Sequence, residues 1–273
     1  MLESDKKSIL NKSFYNNPNI EILYGLDTRI IREFDMNAAG FSVIQRFRML
    51  GRNDIRALSS MDKFSRNVAI GKIRALDTNW SKALSTNIRS VMILFMEANE
   101  ITPEDIVSIN NDAVTVIQPL KKKHTLQIDK INFKISGEYT SLLNVNRVYF
   151  LRDDEGDLTV KGISDTSREY CTELLSKIGE WLGMLEHGAS ISSVLLSIQN
   201  FKVAYCNRSL PLGYYRDLRN GVLNFNNKIS RFSNVSILHD FHDSEWYGNL
   251  DISGNLINFI IPIIGIMLDK NHK

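Results

Sequence analysis

Ile106-Val-Ser-Ile-Asn110-Asn111-Asp112-Ala-Val-Thr-Val-Ile117 carries two runs of aliphatic and β-branched residues on either side of an Asn pair. Such runs read as strand, tight turn and strand, because Asn tolerates the positive φ that a short turn demands. The spacing predicts strands over 106–109 and 112–117, with Asp112 at or just after the turn. Upstream, Ile30 to Phe34 is a short apolar stretch ending in Asp35, a strand with an acid at its tip. If the two strands are neighbours in one sheet, both carboxylates project from one edge. Two oxygen-donor acids on a rigid sheet suit Mg²⁺, which takes a few carboxylates and completes its octahedron with phosphate and water. Two such ions about 4 Å apart activate an attacking hydroxyl and stabilise a leaving pyrophosphate.

Between these acids the pattern is helical from Val43 to about Arg74, with Arg46, Arg48, Arg52, Arg56, Lys63, Arg66, Lys72 and Arg74 along it. Residues 82–99 form an amphipathic helix: Leu84, Ile88, Val91, Met92 and Phe95 recur at helical spacing, and Pro103 halts continuation. Further strands are predicted at 126–135, 145–151 and 157–163, with Asp153-Asp154-Glu155-Gly156 as a turn, then helices over 167–184 and 189–198. That order predicts an α+β fold, an antiparallel sheet with helices on one face. Residues 1–29 read as an N-terminal arm, 30–165 as the sheet domain with a helical insertion at about 43–74, and 166–273 as a mainly helical C-terminal region.

The 273 residues are 43% hydrophobic and 23% charged, ordinary globular values that argue against disorder. Net charge is only +2, so a polyanion-binding surface must come from local clustering. Cys171 and Cys206 make no disulfide framework, and the N-terminus reads as lacking a secretory leader, so a reduced, cytoplasmic setting is expected. The apolar run Leu256 to Leu268, interrupted by Asn258 and Pro262, is too short to span a bilayer and reads as a buried C-terminal element; no membrane partner is expected. His239, His242, Asp243 and Glu245 match no strong zinc spacing and read as a polar turn, and Lys121-Lys-Lys123 as a solvated loop.

Asp35-Met-Asn-Ala-Ala-Gly40-Phe-Ser42-Val-Ile44 resembles the first catalytic motif of family B DNA polymerases, Asp-x-x-Ser-Leu-Tyr-Pro-Ser-Ile-Ile. Lys63-Phe-Ser-Arg-Asn67-Val-Ala-Ile-Gly71 resembles the second, Lys-x-x-x-Asn-Ser-x-Tyr-Gly, and Asn110-Asn-Asp112-Ala the third, Asp-Thr-Asp-Ser. Asn146-Arg147-Val-Tyr149 and Val160-Lys161-Gly162 resemble the family's Lys-Lys-Arg-Tyr and Val-Lys-Gly segments near the primer. The five segments stand in the family's order.

The resemblance implies a palm-like antiparallel sheet backed by helices, short helical fingers and a thumb-like C-terminal region. It implies two Mg²⁺ ions, or Mn²⁺, held by Asp35 and Asp112 with Asn110 beside them. Lys63, Asn67, Gly71, Gly40, Arg56 and Arg66 would meet the nucleoside triphosphate, and Arg147, Tyr149 and Lys161 the primer-template backbone. Asn110 replaces an acid, Gly40 replaces the tyrosine that excludes a ribose 2′-hydroxyl, and Ile70 replaces a second ring. The insertion is short, and only 34 residues precede Asp35, too few for a proofreading domain. The implied protein is the core of a split polymerase, with other subunits supplying duplex grip, in the host cytoplasm if its source is a virus or phage. The alternatives are a catalytically degenerate palm kept for structure or nucleic-acid binding, and an RNA-synthesising or priming polymerase.

Overall fold

The computed structural model describes residues 8–225, 228–230 and 248–271. The chain runs through β1 (Phe14–Asn16), β2 (Ile22–Leu23) and β3 (Arg29–Met36), then helices α1 (Ala39–Phe47), α2 (Arg52–Ser60), α3 (Lys63–Leu76) and α4 (Thr78–Ala98). Next come β4 (Ile106–Asn110), β5 (Ala113–Pro119), β6 (Gln127–Ile128), β7 (Ile131–Tyr139), β8 (Ser141–Val145), β9 (Val148–Arg152) and β10 (Leu158–Lys161). The remainder is α5 (Asp165–Tyr170), α6 (Thr172–Glu186), α7 (Ile191–Cys206), the hairpin β11 (Leu223–Phe225) and β12 (Lys228–Ser230), and α8 (Ser253–Asn271), which opens with a π turn at Leu256–Ile260. The fold is α+β with antiparallel sheets, as the alternation of segments predicts. The residues His239 to Glu245 lie outside the described residues.

The contacts divide the chain into two compact units, Met1–Pro18 with Thr28–Glu138, and Asn19–Asp27 with Tyr139–Lys273. The first holds a six-stranded sheet in the order β1-β4-β5-β3-β7-β6. Side chains alternate across a strand, so Phe34 and Met36 face the helices. There they join Val43, Ile44, Leu84, Ile88, Val91, Met92 and Phe95 in one buried cluster. Phe95 stacks on Phe133 with centroids 4.1 Å apart and tilts against Phe34. Helix α4 forms where periodicity predicts it. Asp77 caps it by accepting from the Trp80 N–H at 2.9 Å, and Glu100, at φ 53°, turns the chain away after it.

The single helical stretch expected over 43–74 is three helices. Gly51 begins the second, and Asp62 begins the third by accepting from the Ser65 N–H at 3.0 Å. Of the residues 1–29 expected as an arm, Phe14–Asn16 pairs with β4 in one sheet, and Ile22–Leu23 pairs with β8 in another.

The second unit has a four-stranded antiparallel sheet, β10-β9-β8-β2, covered by α6, α7 and α8. Residues 139–165, expected to belong with the first sheet, group here because Leu143, Phe150 and Val160 share a core with Leu174, Ile178 and Trp181. Phe259, Ile260, Ile263 and Met267 of α8 are buried in that same core. Among the described residues this helix is the one long and apolar enough to cross a membrane by composition. Cys171 and Cys206 are free thiols, and burial pushes the Cys171 thiol up to about 12.

Two residues test the packing. Gly162 sits at φ 88°, and a β-carbon there would overlap the Arg147 carbonyl oxygen. Gly162→Ala is expected to cost on the order of 3 kcal/mol in urea unfolding. Arg89 is only 7% exposed, and its three guanidinium nitrogens have no hydrogen-bond partner among the described residues. Burial alone lowers its pKa to about 10. Replacing an uncompensated buried charge by an apolar side chain of similar length should stabilise, so Arg89→Met is expected to gain about 1–3 kcal/mol in the same assay.

Candidate functional site

Strand β3 pairs with β5 in the register Asp35↔Ala113, and β4 pairs with β5 in the register Asn110↔Ala113. Directly opposed residues share a face. Asn110, Ala113 and Asp35 therefore form one row across three strands, spaced about 5 Å per strand. The face is the one opposite Phe34 and Met36, hence opposite the helices. The small side chain of Ala113 leaves the middle of the row low.

The turn expected at Asn110-Asn111 lies one residue later: Asn110 ends β4, and Asn111, at φ 54°, and Asp112 are the two residues of the β4–β5 turn. The turn is tied down on both sides. The Asn111 N–H donates to the Ser13 carbonyl at 2.6 Å, and the Met36 N–H donates to the Asp112 carbonyl at 3.0 Å. This last bond sets Asp112 beside the end of β3. Burial raises the Asp112 carboxyl above the ordinary aspartate range, and the negative charge of Asp35 raises it further, against a lowering hydrogen bond from its own backbone. The two acids feel each other at one sheet end.

Asp35 is about one-third exposed, and Lys134 Nζ of β7 lies 3.5 Å from its carboxylate. Lys134 was not legible as a site residue, because only the sheet order puts β7 next to β3. Among the described residues no group of three or more His, Cys, Asp or Glu is arranged to hold a metal. A pair of carboxylates nevertheless fits Mg²⁺ bound together with substrate phosphate, which needs one or two acids and no full protein cage.

Immediately after Asp35 the chain turns through Asn37 and Ala38, the latter at φ 46°, into α1. Ser42 Oγ donates to the Asn37 carbonyl at 2.7 Å and steadies the turn. The helix start has no side-chain cap, so no capping side chain satisfies its first N–H groups. Gly40 packs on α3: a β-carbon there would lie 3.6 Å from the Ile70 side chain. Arg66 stacks its guanidinium over the Phe41 ring at 4.6 Å. Arg56, Lys63, Asn67 and Gly71 are exposed on α2 and α3, and a β-carbon on Gly71 would meet nothing within 4 Å.

Arg147, Tyr149 and Lys161 belong to the second unit, where the structure brings them together. Tyr149 pairs opposite Lys161, and Gly162 abuts the Arg147 carbonyl. Arg147 is the exposed second residue of the β8–β9 turn, at φ 69°. Tyr149, read as a nucleic-acid contact, is buried instead. The same unit has clefts of about 610 and 550 Å³ that both reach Arg152, the partner of Glu186, and none of the candidate site residues read from the sequence lines either one.

A model of the family described as Bacteriophage PBS1 gene 130 protein matches residues 6–269. No curated protein matches the chain.

The coupled acids give a prediction read without any activity. Asp112→Asn removes a buried charge beside Asp35, so its thermal midpoint in EDTA is expected to lie above that of the parent. Millimolar Mg²⁺ should raise the parent's midpoint and leave the variant's unchanged. An equal Mg²⁺ shift in both proteins would remove Asp112 from the metal site.

Proposed function

We propose that this chain, which belongs to the Bacteriophage PBS1 gene 130 protein family, is the palm-centred core of a template-directed nucleic-acid polymerase. The observation that carries the reading is the meeting of Asp35 and Asp112 at one end of an antiparallel sheet, close enough for one charge to shift the other. Two neighbouring acids at one sheet end are costly for stability, and chemistry on a phosphate gives them a purpose. A second contact supports it. Gly40 and Ile70 replace the two rings that line the nucleotide pocket in the polymerases resembled, and these positions touch across α1 and α3.

Asp35 and Asp112 would hold the divalent cations, with Asn110 offering a neutral oxygen from the same row. When bound, Mg²⁺ supplies acidification of a primer 3′-hydroxyl and neutralisation of the leaving pyrophosphate. The uncapped start of α1 presents N–H groups to the triphosphate, and the cationic groups of Lys63, Arg56 and Arg66 complete its neutralisation. Asn67 and Gly71 share the exposed side of α3 with Lys63. Arg147 and Lys161 grip the primer-template backbone from the second unit, and Tyr149 supports them from beneath. Other subunits supply the missing duplex grip, and the setting is the cytoplasm of an infected host cell. With no side chain at Gly40 there is no ring against a ribose 2′-hydroxyl.

One observation favours a second reading. Lys134 already neutralises Asp35, and Asn110 lacks an acid's charge, as a catalytically silent palm kept for nucleic-acid binding would allow.

Primer extension with Mg²⁺ or Mn²⁺, in deoxynucleotide and ribonucleotide arms, decides between them. The parent is expected to extend in both arms, and Asp35→Asn and Asp112→Asn to lose about 100-fold or more. Extension that survives both substitutions, or none from any protein with its partner subunits present, leaves the silent palm. Strong deoxynucleotide preference would defeat the argument from Gly40.

A further inference from the structure

Helix α3 turns little of itself toward the core: Ile70 is its one buried residue, with Arg66, Ala69 and Ile73 half-buried around it. At 100° per residue the opposite side is centred on Phe64, Val68, Gly71 and Ala75. Lys63, Asn67 and Arg74 lie on one flank of that side, and Lys72 on the other. Phe64 is 77% exposed. A phenylalanine held in water contributes nothing to the fold, and Gly71 in mid-helix costs stability relative to Ala while making room for nothing among the described residues. Both are explained by something that lies against this face.

The charge around it says what. Residues 52–76 carry six basic side chains against Asp54 and Asp62, and Asp62 is engaged in capping α3. Arg52, Arg56, Lys63 and Lys72 are exposed and form no ion pair with any described residue. The face therefore repels a second copy of itself and attracts a polyanion. Its only large apolar side chains, Phe64 and Val68, stand about one turn apart, too little apolar surface to anchor a helix in a lipid surface. A protruding ring between cations is the arrangement that stacks on an unpaired base while its neighbours neutralise phosphates, and a bare glycine backbone lets the strand come close.

We infer that the outer face of α3 is a binding surface for single-stranded nucleic acid, with a base stacked on Phe64 and the backbone held by Lys72 and Arg74, exposed cations on the two flanks of the ring that take no part in holding the triphosphate. The inference goes beyond the chemistry at Asp35 and Asp112 and does not require it.

Fluorescence anisotropy with labelled 20-nucleotide single-stranded DNA and RNA, and with a duplex of equal length, tests it on the full chain. Phe64→Ala is expected to weaken single-strand binding about 10-fold while Phe64→Trp retains it. Lys72→Glu with Arg74→Glu should lower the steepness of the salt dependence, since each phosphate contact releases counterions. Asp112→Asn should bind as the parent does, which separates this surface from the acid site. Circular dichroism checks that the exposed substitutions leave the fold intact. Equal binding by the parent and Phe64→Ala, or no single-strand binding, overturns the inference. So does loss by Phe64→Ala confined to the duplex or to anionic phosphatidylglycerol vesicles.

Discussion

The register between β3 and β5 is the constraint on which the acid site rests. Pairing Asp35 with Ala113 leaves Phe34 and Met36 pointing into the helices, where both are essentially inaccessible to water. A slip of one residue would exchange the faces, drive Asp35 and Glu33 into the hydrocarbon of α4 and put Phe34 in the open. The cost of burying a carboxylate without a partner excludes that alternative. The apolar packing of Phe34 against Phe95 thus fixes the chemical geometry on the other side of the sheet. The same register lines up the Met36 N–H with the Asp112 carbonyl, so one hydrophobic decision positions both acids.

What local physics decides, the sequence discloses. The Asn pair at 110–111 announces a turn because Asn accepts positive φ, and α4 announces itself through five apolar side chains on one stripe. The acid at the end of an apolar run was legible for the same reason. Elements defined by pairing across long separations were not. Nothing near Phe14 tells that it lies opposite Asn110, and nothing near Lys134 tells that it reaches Asp35. The turn between β8 and β9 escaped for a local reason. Both Asn146 and Arg147 sit at positive φ, and an arginine there is far less expected than the glycine such turns favour. Reading 145–151 as one strand followed from propensity, and tertiary pairing overruled it.

Several residues stand against the preference of their own position. Arg147 is left-handed, Asp112 is a carboxylate driven toward its protonated form, Gly71 interrupts an exposed helix, and Phe64 is in water. None improves the stability of the unit that contains it. Gly162 belongs to a different class. Its positive φ and its approach to the Arg147 carbonyl make glycine a requirement of the fold, so this position of the Val-Lys-Gly resemblance has a structural cause whatever the protein binds. The distinction weighs the motif matches unequally: Gly162 is accounted for by packing, whereas Gly71 is not.

The ion pair between Lys134 and Asp35 bears on both functional readings, and its strength can be bounded. Lys134 is 52% exposed and reaches the carboxylate at 3.5 Å with a single ammonium, so the pair belongs with surface salt bridges worth at most about 1 kcal/mol. Asp112 has no cationic partner among the described residues, and its neighbour's charge adds to the cost of its own. Two neighbouring acids, of which Asp35 alone pairs with a lysine, leave a net negative charge at the end of the sheet. A divalent cation that bound both acids would displace an interaction of that size easily. The lysine then balances one acid in the free protein without committing it.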